Sequence, residues 1–86
     1  MDTFDEVYFS LLGQLEPEAA LPWVENAFAS GTECESNLFK IYDARNRLLE
    51  RLHVSEEDEN LECILDSFLS IQYALCRKMY FYGLQQ

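Results

Sequence analysis

Eighty-six residues that are 49% hydrophobic and 14% aromatic are too apolar for a disordered acidic tail, in spite of a net charge of −10. A chain of this length is expected to form one helical domain, residues 1–86, and to bury only about 60–65% of the surface it exposes when unfolded, so the core should be thin. The charge opposes direct binding to nucleic acid or anionic lipid, which are held largely through Lys and Arg, and only six such residues are present.

Thr3 and Glu6 have capping-box spacing, and Phe4, Val7, Tyr8, Leu11, Leu12 and Leu15 follow at helical intervals. This predicts a first helix over about 4–14, with Gly13 weakening its last turn. Pro17 and Pro22 are each acceptable only in a first turn, so a broken connection and then a short helix from Pro22 to about Ala29 are expected, stopped by Gly31. Trp23, Val24, Ala27 and Phe28 would face inward, with a partner-binding anchor as the alternative for Trp23. Thr32 and Glu35 repeat the capping-box spacing ahead of Leu38, Ile41, Tyr42, Leu48, Leu49 and Leu52, which predicts a long helix over about 33–52. His53, the one histidine, stands at that helix's end and is expected to satisfy carbonyls and the dipole rather than to serve as a base or ligand.

The longest element follows. Ser55 reads as an N-cap, Glu56, Glu57, Asp58 and Glu59 fill a first turn, and Gly83 stands where a left-handed residue would end the helix. Leu61, Ile64, Leu65, Phe68, Ile71, Leu75, Met79 and Tyr82 step by threes and fours onto one face. The short connection makes the two long helices antiparallel neighbours, with Arg45 near Leu65 and Asp66, and Cys34 near enough to Cys76 to raise the question of a disulfide. The expected fold is all-α, a small three- to four-helix bundle built on a long antiparallel helical hairpin (about 33–52 and 56–82) with the stripe as its core. Leu69, Tyr73, Tyr80 and Phe81 fall off the stripe and offer a second apolar side, for internal packing or for a homodimer.

Charge is unevenly distributed. Residues 1–35 carry eight acids and no Lys or Arg, residues 36–54 have a net charge of +2, residues 55–62 one of −5, and residues 63–86 one of +1. Acidic side chains keep an aromatic-rich bundle soluble and cap its helices. They can also engage a basic partner, even imitating a nucleic acid in a basic groove.

No constellation for catalysis is visible. One histidine beside a turn fits neither a Ser-His-Asp nor a Cys-His arrangement, and three isolated glycines form no phosphate loop. Glu56 to Glu59 lack the alternation and central glycine of an EF-hand, so neither a metal nor a cofactor is expected. Cys34, Cys63 and Cys76 match no zinc or haem spacing and read as reduced thiols packed as small apolar groups. No apolar run reaches 18 residues and no secretory leader pattern is visible, so a cytoplasmic location is expected.

Five segments taken together carry a resemblance: Leu21 to Phe28 (LPWVENAF), the Gly31 to Cys34 turn, Ala44 to Leu52 (ARNRLLERL), the acidic Ser55 to Asp58, and Leu75 to Gly83 (LCRKMYFYG). Over roughly residues 21–83 the chain resembles a group of short, acidic helical proteins encoded on phages and conjugative elements of gut Firmicutes, a group without an established activity. The pattern has glycine where this chain has His53. A mobile-element setting implies an accessory or anti-defence role, such as an anti-CRISPR-type inhibitor. The expected function is therefore non-enzymatic: a module that uses Glu16, Glu18, Glu25, Glu33, Glu35, Glu56, Glu57, Asp58 and Glu59 against a basic, nucleic-acid-binding surface on a partner protein. The alternative is a structural or regulatory homodimer pairing through Leu69, Tyr73, Tyr80 and Phe81.

Overall fold

Asp2, one residue upstream of the expected cap, starts the first helix: its carboxylate accepts the Asp5 N–H at 2.9 Å, and Thr3 is already helical. In the computed structural model, which describes residues 1–54 and 56–85, the chain has three helices and no strand among those residues. They are α1 (Thr3–Leu11), α2 (Glu33–Arg51) and α3 (Glu59–Gly83). The chain divides into two compact units, Met1–Tyr42 and Asp43–Gln86, and α2 supplies residues to both.

In the first unit, α1 stops at Leu11 rather than at residue 14 because Gly13 takes a left-handed conformation, φ +68°. The Gly13 N–H bonds to the Ser10 carbonyl and the Gln14 N–H to the Phe9 carbonyl, each at 3.1 Å, which is the double closure of a Schellman motif. Gly13 is thus the stop signal and not a weak interior position. Phe4 and Tyr8 are buried and stacked, with ring centroids 5.4 Å apart. Ser10 is buried too, and its hydroxyl accepts the Leu21 N–H at 3.0 Å, while Ala27 donates to the Leu11 carbonyl at 2.7 Å. These two bonds tie the connection to the end of α1.

The short helix expected from Pro22 to Ala29 does not form. Residues 12–32 are a chain of turns closed by bonds such as Val24 N–H to the Leu21 carbonyl and Ala29 N–H to the Asn26 carbonyl. The Asn26 side-chain oxygen takes the Phe28 N–H at 2.9 Å, and the Ala27 N–H is committed to α1, so the donors a helix would need are already used. Trp23 is 72% exposed, contrary to its expected place in the core; Val24, Ala27 and Phe28 are half-buried.

The start of α2 agrees with the sequence. Thr32 Oγ1 accepts the Glu35 N–H at 3.2 Å and donates to the Ala29 carbonyl at 2.7 Å, and the Glu35 carboxylate reaches back to the Gly31 N–H at 3.1 Å.

In the second unit, α2 ends in another Schellman motif. The His53 N–H bonds to the Glu50 carbonyl and the Val54 N–H to the Leu49 carbonyl, at 3.1 and 3.0 Å, around a left-handed residue with φ +56°. That residue is His53. Its backbone satisfies the carbonyl, while its side chain is exposed. A β-carbon in this region costs about 1–2 kcal/mol, of which glycine's larger unfolded-state entropy returns part. Replacing His53 by glycine should therefore raise stability by about 0.5–1 kcal/mol, seen as a higher urea midpoint at unchanged slope. An unchanged or lower midpoint would contradict a strained turn.

The α3 helix begins three residues later than expected, with the Asp58 carboxylate accepting the Leu61 N–H at 2.9 Å. Glu56 and Glu57 precede it, and the Ser55 cap lies outside the described residues. At the far end Gly83 is helical and is not among the left-handed glycines, the C-cap being Leu84. A half-buried ion pair links α2 to α3, with Arg45 Nε to Glu62 Oε1 at 2.7 Å and Nη2 to the same oxygen at 2.6 Å. Arg45 thus meets Glu62, one turn before the expected Asp66.

Candidate interaction surface

A 25-residue helix exposes one side wherever it lacks a neighbour, and α3 turns an apolar side outward. Phe68 is 66% exposed, Met79 73% and Tyr82 68%, and Ile64, Ile71 and Leu75 are each more than half exposed. These residues belong to the stripe that its periodicity assigns to the core, and the structure turns them to solvent instead. With 3.6 residues per turn, the half-buried Glu62, Leu65, Tyr73, Cys76 and Tyr80 lie roughly a third of the way round the helix from this row. The α2 contact through Arg45 and Glu62 falls on that half-buried side. Two apolar sides compete for one neighbour, and the side with the longer unbroken row is the one left to solvent.

The expected dimer face is therefore split. Tyr73 and Tyr80 are half-buried, while Leu69 and Phe81 are exposed at 58% and 43%. At its C-terminal end α3 carries an open groove of about 480 Å³ between Tyr73, Ala74, Arg77, Lys78, Phe81, Tyr82 and Gln85. The Arg77 guanidinium sits 5.0 Å from the centre of the Phe81 ring, and Tyr80 meets the same ring edge-on at 5.3 Å.

The nine acids proposed for partner binding divide between the units. Glu16, Glu18, Glu25 and Glu33 in the first unit are exposed, as are Glu56, Glu57 and Glu59 in the second. Glu35 and Asp58 are half-buried and bond to the backbone, so each has a structural task at a helix start. The chain matches no protein-family model, and neither a curated protein nor a solved structure matches it.

Chemically, the row can contribute apolar area and the acids can contribute charge. All three cysteines are free thiols, and Cys34 and Cys63 are exposed rather than packed as expected, with Cys76 intermediate. No group of three or more His, Cys, Asp or Glu side chains is positioned to hold a metal ion among the described residues. No helix among them is long and apolar enough to cross a membrane. The signal that finds the exposed row is its spacing: Leu61, Ile64, Phe68, Ile71 and Leu75 alternate steps of three and four, the repeat of a helix–helix seam.

Proposed function

We propose that the chain is a non-catalytic, cytoplasmic protein-interaction module that docks through the exposed apolar row of α3. The observation that carries this reading is the exposure of Ile64, Phe68, Ile71, Leu75, Met79 and Tyr82 on one side of a single helix. Soluble chains rarely leave so long an apolar face uncovered without a partner for it. In this reading α2 and α3 act as an antiparallel hairpin whose outer side is the docking face. The test places a photoreactive benzophenone side chain at Phe68 and, as a control, at Ser70, which is exposed on the far side of α3. Cross-linking in cells from position 68 and not from position 70 supports docking by the row, and equal yields at both positions refute it.

A second reading rests on the exposure of Glu16, Glu18, Glu25, Glu33, Glu56, Glu57 and Glu59. Here the acidic side chains imitate a nucleic acid and block a basic groove on a host defence protein, the anti-CRISPR-type role that a mobile-element origin implies. Such binding should weaken at least tenfold between about 50 and 300 mM salt, as exposed charge pairs are screened. It should weaken again when Glu16, Glu18, Glu25 and Glu33 become glutamine. Displacement of a labelled DNA duplex from candidate effector proteins measures both effects, and displacement indifferent to salt and to the substitutions removes the imitation.

A further inference from the structure

The α3 row needs an occupant, and we propose that it is the same row on a second copy of the chain, laid antiparallel. This rests on the reading of α3 as a docking face and names its partner.

The second unit is short of core by itself. Leu49 is the one buried apolar side chain among its described residues, whereas seven large apolar side chains of α3, the six of the row and Leu69, are more than half exposed. An aromatic side chain brings about 150–250 Å² and an aliphatic one somewhat less, and with about three-fifths of each exposed the row offers roughly 600 Å² per copy. That is the lower end of the share each partner contributes to a stable interface, about 600–1,000 Å².

The row also matches itself when reversed. A two-fold axis between Ile71 and Gln72 brings Leu61 level with Tyr82, Ile64 with Met79 and Phe68 with Leu75, each an apolar pair, and sets the two Ile71 side chains beside the axis. A parallel pair would stack the two Phe68 rings on each other and the two Tyr82 rings likewise.

The helix dipoles select the same orientation: reversal sets opposite ends level, whereas parallel pairing sets like ends together. A chain of charge −10 repels its copy, yet by helical geometry Glu59, Glu62 and Asp66 project away from the row. Repulsion therefore acts at long range and is screened by salt, with a Debye length of about 8 Å at physiological ionic strength. Self-pairing should tighten as salt rises, the reverse of binding by charge imitation.

Sedimentation equilibrium of the purified full chain at about 100 µM, where a pair of micromolar affinity is formed, tests this directly. The expected mass is twice 10.1 kDa, falling to 10.1 kDa for Phe68→Glu and staying doubled for Ser70→Glu. For orientation, Cys34, Cys63 and Cys76 are replaced by serine and a short bis-maleimide is applied. Ile71→Cys should then cross-link to itself and Ile64→Cys to Met79→Cys, while two copies of Ile64→Cys, about 22 Å apart along the pair, should not join. A wild-type mass of 10.1 kDa, or self-linking of Ile64→Cys, overturns the proposal, and neither depends on the folding of Phe68→Glu. A monomer whose position 68 still captures another protein leaves the docking face standing with a different occupant. A monomer that captures nothing removes the docking reading as well.

Discussion

Replacing Leu49 by alanine should lower stability by about 2–4 kcal/mol, the usual range for emptying a buried leucine site. Leu49 is 7% exposed, and its carbonyl accepts the Val54 N–H that closes the end of α2. Its side chain is the position in a Schellman motif that packs against the residue two beyond the helix, here the half-buried Val54. Truncation therefore removes buried area and loosens the turn between α2 and α3 in one step. Leu48, its neighbour in sequence, is 40% exposed, so Leu48→Ala should cost less than about 1 kcal/mol. For a domain of this size the difference is a gap of about 10 °C in Tm between the two variants, read at one protein concentration because any association would shift both. Equal losses for Leu48→Ala and Leu49→Ala would contradict the burial pattern.

The helices were legible where a local pattern decides them. Thr32 and Glu35 mark the start of α2 because a capping box depends only on residues within one turn, and the structure places both side chains on backbone N–H groups. The start of α3 was less legible: Ser55 and Asp58 are both residues that cap helices, and spacing alone does not rank them. Asp58 caps it by bonding to Leu61 N–H. The missing helix at Pro22 to Ala29 has a tertiary cause. Ala27 N–H goes to the Leu11 carbonyl and Leu21 N–H to the Ser10 hydroxyl, partners more than ten residues away that no periodicity reveals. The interaction surface is the sharpest case. Spacing finds the α3 row but not which way it faces, because Leu65, Tyr73, Cys76 and Tyr80 make a second apolar side and only the placement of a neighbour chooses between the two. Among the acids, Glu35 and Asp58 each accept a backbone N–H at a helix start, a local task that charge distribution alone does not reveal.

Replacing Gly13 by alanine should cost about 2–3 kcal/mol, in two separable parts. One is the backbone: at φ +68° a β-carbon costs about 1–2 kcal/mol. The other is space. A β-carbon there would stand 2.7 Å from Asn26 Nδ2 and 2.9 Å from its Cγ and Oδ1, closer than such atoms approach in real structures. Asn26 would have to withdraw, and its side-chain oxygen is held by the Phe28 N–H at 2.9 Å, a bond worth about 1 kcal/mol. Gly31 supplies the comparison, because it has φ +86° with nothing within 4 Å of the added carbon. Gly31→Ala should show the backbone cost alone, about 1 kcal/mol less than Gly13→Ala in urea unfolding. Removing the obstacle should restore the balance: in the Asn26→Ala background, Gly13→Ala should cost no more than Gly31→Ala does. Since residues that share a contact couple by about 0.5–3 kcal/mol, that coupling is large enough to measure. Equal costs for the two glycines in the wild-type background would mean that Asn26 yields freely, and that the turns after α1 are held by Ser10 and Leu11 without it.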